Sequence, residues 1–407
     1  MRKIIAALLL SVALLCLPAG GHGEELDLSP SASPTPSPAP LTPVSQSPLL
    51  ERPPMGLNCA AALLMEADSG QIIFEMNADV PRPVASVTKV MTILLTLERL
   101  DGGALSPEDV VTVSEAAAGM GGSQVLLDVN ERQSVDTLQT SMIVGSANDA
   151  AVALAEALYG SEALCVDAMN RRAEELGMAG THFENCTGLP AAGQHTTARD
   201  VAVMSRQMFA HERYFGYSGV WMEDIDHGDG RVTQLVNTNK LLRLCDGCDG
   251  GKTGSTNEAG YCISATARRG DMRLIAVVLG AESGKERFAI SKEMLEYGVA
   301  NYRKYPVAAR GTRVRGELPV TGGEREGVAL MLDGDLTLLM NRGDEQRVSL
   351  APDLPESLPA PVAAGQEVGS VRVLVDGREV ARIPVVACVE VRARGGGLRR
   401  IWEHWMG

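Results

Sequence analysis

The sequence predicts an α/β (α+β) chain in which an antiparallel sheet is joined to a helical region and followed by a small C-terminal all-β domain. Three observations lead there. From Ala60, "AALLMEADSGQIIFEMNAD" places two short apolar runs on either side of Asp68-Ser69-Gly70, which reads as a β-hairpin. Strand patterning then returns only far downstream, in "YCISATA" and "RLIAVVLG" between Ala259 and Gly280, with helical spacing in between. One sheet is therefore completed by distant parts of the chain. Beyond Tyr305 the character shifts to "GVALMLDGDLTLLM" and "GSVRVLVDGREVARIPVVACVEV", where Val375-Asp376-Gly377-Arg378 is a tight-turn signal between two apolar runs.

Taken in order, residues 1–23 combine a basic start at Arg2-Lys3, the apolar run Ile4 to Leu17 and the small residues Ala19-Gly20-Gly21, the layout of a secretory signal. Lipidation at Cys16 would need a small residue before it, and Leu15 fills that place. Residues 24–54 are rich in Ser, Pro and Ala, as in "SPSASPTPSPAP", and cannot bury enough apolar surface to fold, so they form a linker. The first domain, 55–304, opens with the hairpin and a helix carrying Val90, Ile93, Leu94 and Leu97 on one face. A helix-rich region follows to about Arg213 and includes "DTLQTSMIVGSANDAAVALAEAL"; after the returning strands, a helix from roughly Glu286 to Tyr302 closes the domain. Residues 305–392 form the second domain, a β-sandwich or barrel. In 393–407, "GGGLRRIWEHWMG" puts Leu398, Ile401, Trp402, Trp405 and Met406 on one helical stripe, the pattern of a helix lying in a membrane interface. The alternative is a terminal helix packed on its own domain; three glycines uncoupling it favour the membrane surface. No later stretch is apolar for long enough to span a bilayer, and no repeat of fixed period occurs.

The net charge of −14, from 51 acidic against 37 basic residues, argues against a nucleic-acid partner, which needs a basic face. Of eight cysteines, Cys16 lies in the signal. Cys245 and Cys248 have metal-ligand spacing, but neither a second CxxC nor a nearby His pair accompanies them, so no metal site is predicted. A disulfide suits an exported chain better. Cys248 and Cys262 sit about equally far from a turn near Ser255 to Asn257 and are expected to face each other across a hairpin.

The chemistry starts at "VASVTKVMTILLTLERL". The chain has seven lysines against thirty arginines, and Ser86 is the only serine three places before any lysine. Two further elements follow in order, Ser146-Ala147-Asn148 and Lys252-Thr253-Gly254. A serine hydroxyl needs a neighbouring base to act as a nucleophile at neutral pH. A lysine, protonated at its reference pKa of about 10.4, can be that base only where its charged form is disfavoured. The positive end of the helix beginning at Ser86 and a second cation from Lys252 are the two influences expected to do this. Residues three apart on a helix share a face, so Lys89 points to the side of Ser86. Alone, SxxK would be an N-capping serine with an exposed lysine; together with the other two elements it reads as a catalytic set. Of the histidines, His182, His195 and His227 lie in no nucleophile-elbow context, and His195 is expected to cap the helix beginning near Thr197.

With these triplets, "AALLMEADSG", "SVTKVMT", "MIVGSANDAAVALAE", "GLPAAGQHTTARDVAVMSR", "NTNKLL" and "GGKTGSTNEAGYCISATARRGDMRLIAVVLG" make the chain resemble the low-molecular-mass penicillin-binding proteins of the serine D-alanyl-D-alanine carboxypeptidase type, peptidase family S11. The likeness runs from Ala60 to Tyr302 and extends to the C-terminal β-domain and terminal helix. It implies a penicillin-binding-protein/β-lactamase-like transpeptidase domain acting on peptidoglycan pentapeptides ending in D-Ala-D-Ala, with β-lactams as covalent inhibitors and no metal or organic cofactor. By the same resemblance Ser86 is the nucleophile, Lys89 its general base, and Ser146 the relay of a proton to the leaving D-alanine. Asn148 would hold the substrate amide and orient Lys89, Lys252 would supply charge near Ser146, and Thr253 and Arg287 would bind the terminal carboxylate. Backbone N–H groups of Ser86 and Ser255, beside Gly254, would hold the oxyanion. The family usually has Gly where Ala147 stands, a departure without consequence if the backbone there is helical. Ser255 replaces the His of some members, which bears on deacylation and leaves the N–H in place. Two rivals remain: a serine β-lactamase, for which Glu184-Asn185 lies in the region of the deacylating glutamate but without the surrounding pattern, and a catalytically idle penicillin-binding sensor or scaffold. Exported, the enzyme would sit on the outer face of the cytoplasmic membrane.

Overall fold

The computed structural model describes residues 45–46, 50, 53–228 and 230–395. The predicted signal, most of the linker and the terminal amphipathic stretch from 396 onward lie outside the described residues.

The expected hairpin is present, with strands Ala61–Glu66 and Gln71–Met76 paired antiparallel. Ala61–Glu66 is buried at every position, which requires both faces to be covered and explains its unbroken apolar run. On its other side it pairs with Met272–Ala281, followed by Gly260–Arg269 and Cys248–Thr256. Ser45–Gln46, inside the predicted linker, adds a short parallel edge strand against Gln71 and Ile72. Pairing of this kind uses backbone groups alone, so the Pro/Ser-rich composition gave no sign of it.

Each face of the sheet carries its own core. One face buries Leu63, Val277 and Leu279 with Val87, Val90, Met91 and Leu94 of the helix Lys89–Asp101 and its lead-in. Fully burying a leucine there contributes roughly 2 kcal/mol before entropy is charged against it. The opposite face packs Ile263, Ala265 and Ala276 against Phe288, Met294 and Leu295 of the closing helix Gly284–Asn301. Gly298 allows the close crossing, since a Cβ there would lie 2.5 Å from Leu274 Cδ1. The helix Ala198–Phe209 is capped by Thr197, whose Oγ1 accepts from Asp200 N at 3.0 Å. His195 is not the cap, contrary to expectation. It forms a two-way backbone bridge with His182 and its ring pairs with the Gly193 carbonyl, because its extended backbone commits it to the neighbouring segment.

The second domain is all β. Its main sheet runs in the order Val348–Asp353, Glu367–Val375, Arg378–Ala387, Gly327–Leu332, Arg313–Thr321, Leu358–Pro359. Asp376 and Gly377 have φ of 50° and 77°, the left-handed pair that the tight turn requires. Tyr302–Ala308 and Leu336–Asn341 form a separate two-stranded ribbon, from which Tyr302 and Leu339 bury into the core behind the catalytic sheet. Arg342 donates to the Val299 carbonyl and its backbone N–H to Asn301 O, while Lys304 bonds Asp68.

The expected Cys248–Cys262 pairing is corrected by the register. Thr256 pairs with Gly260, so the turn is centred past the expected position; Cys262 faces Gly254 and Cys248 faces Ala267, with a bulge before Gly250. All seven cysteines among the described residues are free. Non-reducing peptide mapping of the purified chain is accordingly expected to contain no Cys248–Cys262 cross-link; recovery of that linked peptide pair would contradict the register.

Candidate active site

Ser86 sits in a 3-10 turn, Ala85–Thr88, that leads into the helix Lys89–Asp101. Ala85 is held at φ 50°, an unfavourable value for a residue with a Cβ, and Ser86 itself is half-buried. Lys89, the first residue of the helix, is fully buried. Its Nζ lies 3.0 Å from Ser86 Oγ, 2.5 Å from Asn148 Oδ1 and 2.7 Å from the Thr187 carbonyl. Two of these neighbours can only accept, whereas the serine hydroxyl can also donate. The arrangement suits a neutral amine: two N–H groups go to the carbonyl oxygens, and the lone pair faces the Ser86 O–H. Burial pulls the Lys89 pKa down to about 7, against the opposing pull of Cys186 and Asp149. Loss of hydration therefore leads, where the sequence pointed to the helix end and to Lys252. Lys252 is itself lowered well below its ordinary value, first by burial and then by the charges of Lys89 and Arg287.

The middle element required a break that helical spacing did not reveal. The helix Val135–Thr140 widens into a π turn over Ser141–Gly145, and Ser146 takes a left-handed conformation at φ 61°, ψ 27°. Ala147 is extended at φ −58°, ψ 124°, and the helix resumes as Asn148–Tyr159. The backbone at Ala147 is thus not helical, but its negative φ accepts a Cβ, so alanine in place of glycine carries no strain. The kink turns Ser146 Oγ toward Lys252, whose Nζ donates to it at 2.7 Å and to the Thr253 carbonyl at 2.9 Å. Gly145 lies under Leu235, where a Cβ would come within 2.8 Å of Leu235 Cδ2.

Lys252, Thr253, Gly254 and Ser255 lie on the sheet strand Cys248–Thr256, with Ser255 exposed opposite Tyr261. A Cβ on Gly254 would stand 2.6 Å from Val84 O and 2.8 Å from Ser86 N and Val87 N. The glycine is what allows this strand to close against the nucleophile's backbone. Thr253 Oγ1 donates to Thr238 Oγ1 at 2.8 Å. Arg287, from the closing helix, donates to the carbonyls of Gly254 at 3.0 Å and Cys262 at 3.2 Å. Its buried Nε has no partner among the described residues, and burial lowers its pKa.

Of the nine residues singled out in the sequence, Ser86, Lys89 and Asn148 are joined by side-chain contacts, as are Ser146 and Lys252; Thr253, Gly254 and Ser255 follow on the strand beside them. Arg287 stands apart on the closing helix, bonded to the carbonyls of Gly254 and Cys262. Thr187 was missed because it serves through its carbonyl, which residue type does not disclose. Asn185 holds that carbonyl's segment by accepting from Thr187 N at 3.2 Å and Gly188 N at 2.7 Å. Gly188 in turn presses on the Ser86 turn, where a Cβ would come within 2.0 Å of Ala85 O. Glu184 pairs with His182 at 3.1 Å, and among the described residues no carboxylate oxygen contacts Lys89 Nζ. A base, a nucleophile and buried cations in this order suit acyl transfer through a serine ester. Gly254→Ala is expected to slow β-lactam acylation of Ser86 on the order of 100-fold by pushing the strand off the serine turn, as read from labelled-penicillin kinetics.

Comparison with known proteins gives the family. The family model described as D-alanyl-D-alanine carboxypeptidase matches residues 49–283, and that for the penicillin-binding protein 5 C-terminal domain matches 302–393. D-alanyl-D-alanine carboxypeptidase DacF of Bacillus subtilis is 36% identical over 85% of this chain and 89% of its own length. DacD of Escherichia coli is 33% identical over 88% of this chain and 92% of its own. Among solved structures, penicillin-binding protein 5 from Haemophilus influenzae superposes with a TM-score of 0.72 at 30% identity, covering 84% of this chain and 100% of that one. The ampicillin-bound form of penicillin-binding protein D2 from Listeria monocytogenes gives 0.55 at 32% identity, covering 61% and 100%. With a buried amine on its serine and these relatives along nearly its whole described length, the chain belongs to the D-alanyl-D-alanine carboxypeptidase family.

Proposed function

We infer that the chain is a penicillin-sensitive serine carboxypeptidase that removes the terminal D-alanine from peptidoglycan pentapeptide stems through an acyl-enzyme on Ser86. The observation that carries this reading is the buried Lys89 amine 3.0 Å from Ser86 Oγ, with a pKa near 7. At that value about half of the lysines are neutral at pH 7, against roughly one in a few thousand at the reference value. Ser86 Oγ attacks the carbonyl of the D-Ala-D-Ala peptide bond while its proton passes to Lys89. The tetrahedral oxyanion is held by the N–H groups of Ser86 and Ser255, each such donor contributing about 3 kcal/mol to the transition state. The C–N bond breaks as Ser146, bonded to Lys252 Nζ at 2.7 Å, passes a proton to the departing D-alanine amine. The proton that Lys89 took from Ser86 replaces the one Ser146 gives up, and Lys89 is neutral again. Water then cleaves the ester, with Lys89 again taking the proton. Asn148 holds the substrate amide and Lys89 together; Thr253 and Arg287 are assigned to the terminal carboxylate. Arg287 lies behind the strand and donates to the Gly254 carbonyl, with its Nε unpartnered among the described residues.

The signal-like residues 1–23, the linker 24–54 and the apolar stripe in 393–407 support export and a peripheral seat on the outer face of the cytoplasmic membrane. No helix of the described residues is long and apolar enough to cross a membrane.

Incubation with a muramyl pentapeptide is expected to release free D-alanine, and Ser86→Ala to abolish both release and labelling by penicillin. Rapid turnover of penicillin in place of a long-lived adduct would favour a β-lactamase instead. Because the active form of Lys89 is the deprotonated one and its pKa is depressed, acylation should rise with pH through about 7. Below that it should fall about tenfold per pH unit, as checked by stopped-flow acylation rates. Lys89→Arg, which stays protonated, should abolish acylation across the range.

A further inference from the structure

Asp149 follows the catalytic Asn148 and is buried, yet none of the steps above uses it. Its carboxylate occupies the first turn of the helix Asn148–Tyr159, where the helix dipole favours a negative charge. Oδ1 accepts from Ala150 N at 2.9 Å and from Val125 N at 3.1 Å; Oδ2 accepts from Leu126 N at 2.8 Å and Leu127 N at 3.1 Å. Three successive backbone N–H groups of one loop therefore converge on a single side chain. Such convergence needs a left-handed residue in the run, and Leu126 supplies it at φ 70°, a value a bulky residue seldom takes. Its side chain gains little burial in return, being 57% exposed. The loop adopts a strained backbone to make an anion cradle, and Asp149 is the anion.

The same loop grips Asn148 from its other end. Gly121 O accepts from Asn148 Nδ2 at 2.6 Å, and Ser123 O accepts from Asn148 N at 2.7 Å. Gly122, at φ 80°, leaves room for that amide, since a Cβ there would lie 2.8 Å from Asn148 Nδ2. With Nδ2 committed to Gly121 O, the amide cannot flip, and Oδ1 must face Lys89 Nζ at 2.5 Å. An asparagine at 149 would turn a donor toward donors and could not close the cradle.

We propose that Asp149 is a positioning residue of the carboxypeptidase reaction: by closing the 125–127 cradle it keeps the Gly121 and Ser123 carbonyls on Asn148, and so keeps the Asn148 amide oxygen on Lys89. The inference rests on Ser86 and Lys89 acting as proposed above. The charged and titratable groups facing Lys89 are Asp149 from the first turn of the helix Asn148–Tyr159, Cys186 from the loop before Thr187, and Lys252 from the sheet.

The test uses the full chain and labelled penicillin, separating the non-covalent dissociation constant from the acylation rate at saturation, with thermal melting in parallel. Asp149→Asn is expected to lower the acylation rate on the order of 10- to 100-fold while penicillin binding before acylation is largely kept. Since the loss of charge could itself act on Lys89, a second variant keeps Asp149 and spoils the cradle. Leu126→Pro removes one N–H and cannot take a positive φ, yet alters an exposed position. It should reproduce the rate loss and move the acid limb of the pH profile below that of the wild type, because Lys89 loses the acceptor that favours its protonated form. Leu126→Gly, which keeps the cradle, should acylate at the wild-type rate. Wild-type acylation rates at saturation in both Asp149→Asn and Leu126→Pro, or losses that merely track the unfolded fraction, would overturn the proposal. If Asp149→Asn does not fold, Leu126→Pro decides alone. A wild-type chain that is not acylated at Ser86 would instead sink the catalytic reading itself.

Discussion

The site depends on the burial of one amine. Lys89 has no solvent contact, and its surroundings supply two fixed carbonyl acceptors and one hydroxyl but no carboxylate in contact. An ammonium ion in that place would have lost its hydration, and the Asp149 carboxylate nearby offsets only part of that loss, so the proton is held loosely. A solvated lysine on the same helix face would keep its charge and leave Ser86 inert. Lys252 is pushed down further, because to its burial are added the positive charges of Lys89 and Arg287.

Holding that amine in place imposes unusual backbone on the walls around it. Ala85 and Ser146, both non-glycine residues, adopt positive φ beside the nucleophile and at the relay. Gly188 and Gly254 occur where the chain passes too close to the Ser86 turn for any Cβ. Strained backbone and close approach at a functional pocket persist where the surrounding scaffold over-determines them. The second domain stands apart from this chemistry: its contacts with the first run through Tyr302, Leu339, Arg342 and Lys304, on the side of the closing helix.

Much of the fold was legible because its signals are local. The first hairpin, the opening helix, the returning strands and the Asp376-Gly377 turn each follow from a period or a turn pair that a few residues carry. What escaped depends on neighbours distant in sequence or on backbone groups. The stretch around Ser146 reads as continuous helix because its apolar spacing is helical on both sides of the kink; only the packing of Leu235 and the reach to Lys252 reveal the break. The hairpin register, which separates Cys248 from Cys262, turned on a shift in the turn centre and one bulge, neither of which has a compositional mark.

By itself the sequence determined the chemical types and their order: a hydroxyl and an amine three residues apart, a second serine with an asparagine, and a lysine followed by threonine and glycine. Side-chain chemistry and short-range periodicity are intrinsic to residues, so they can be read without coordinates. The tertiary structure alone decided how deeply Lys89 is buried, which oxygens surround it, and that the Thr187 carbonyl and the Asp149 cradle take part. Desolvation and hydrogen-bond direction belong to the packed assembly and to no residue within it.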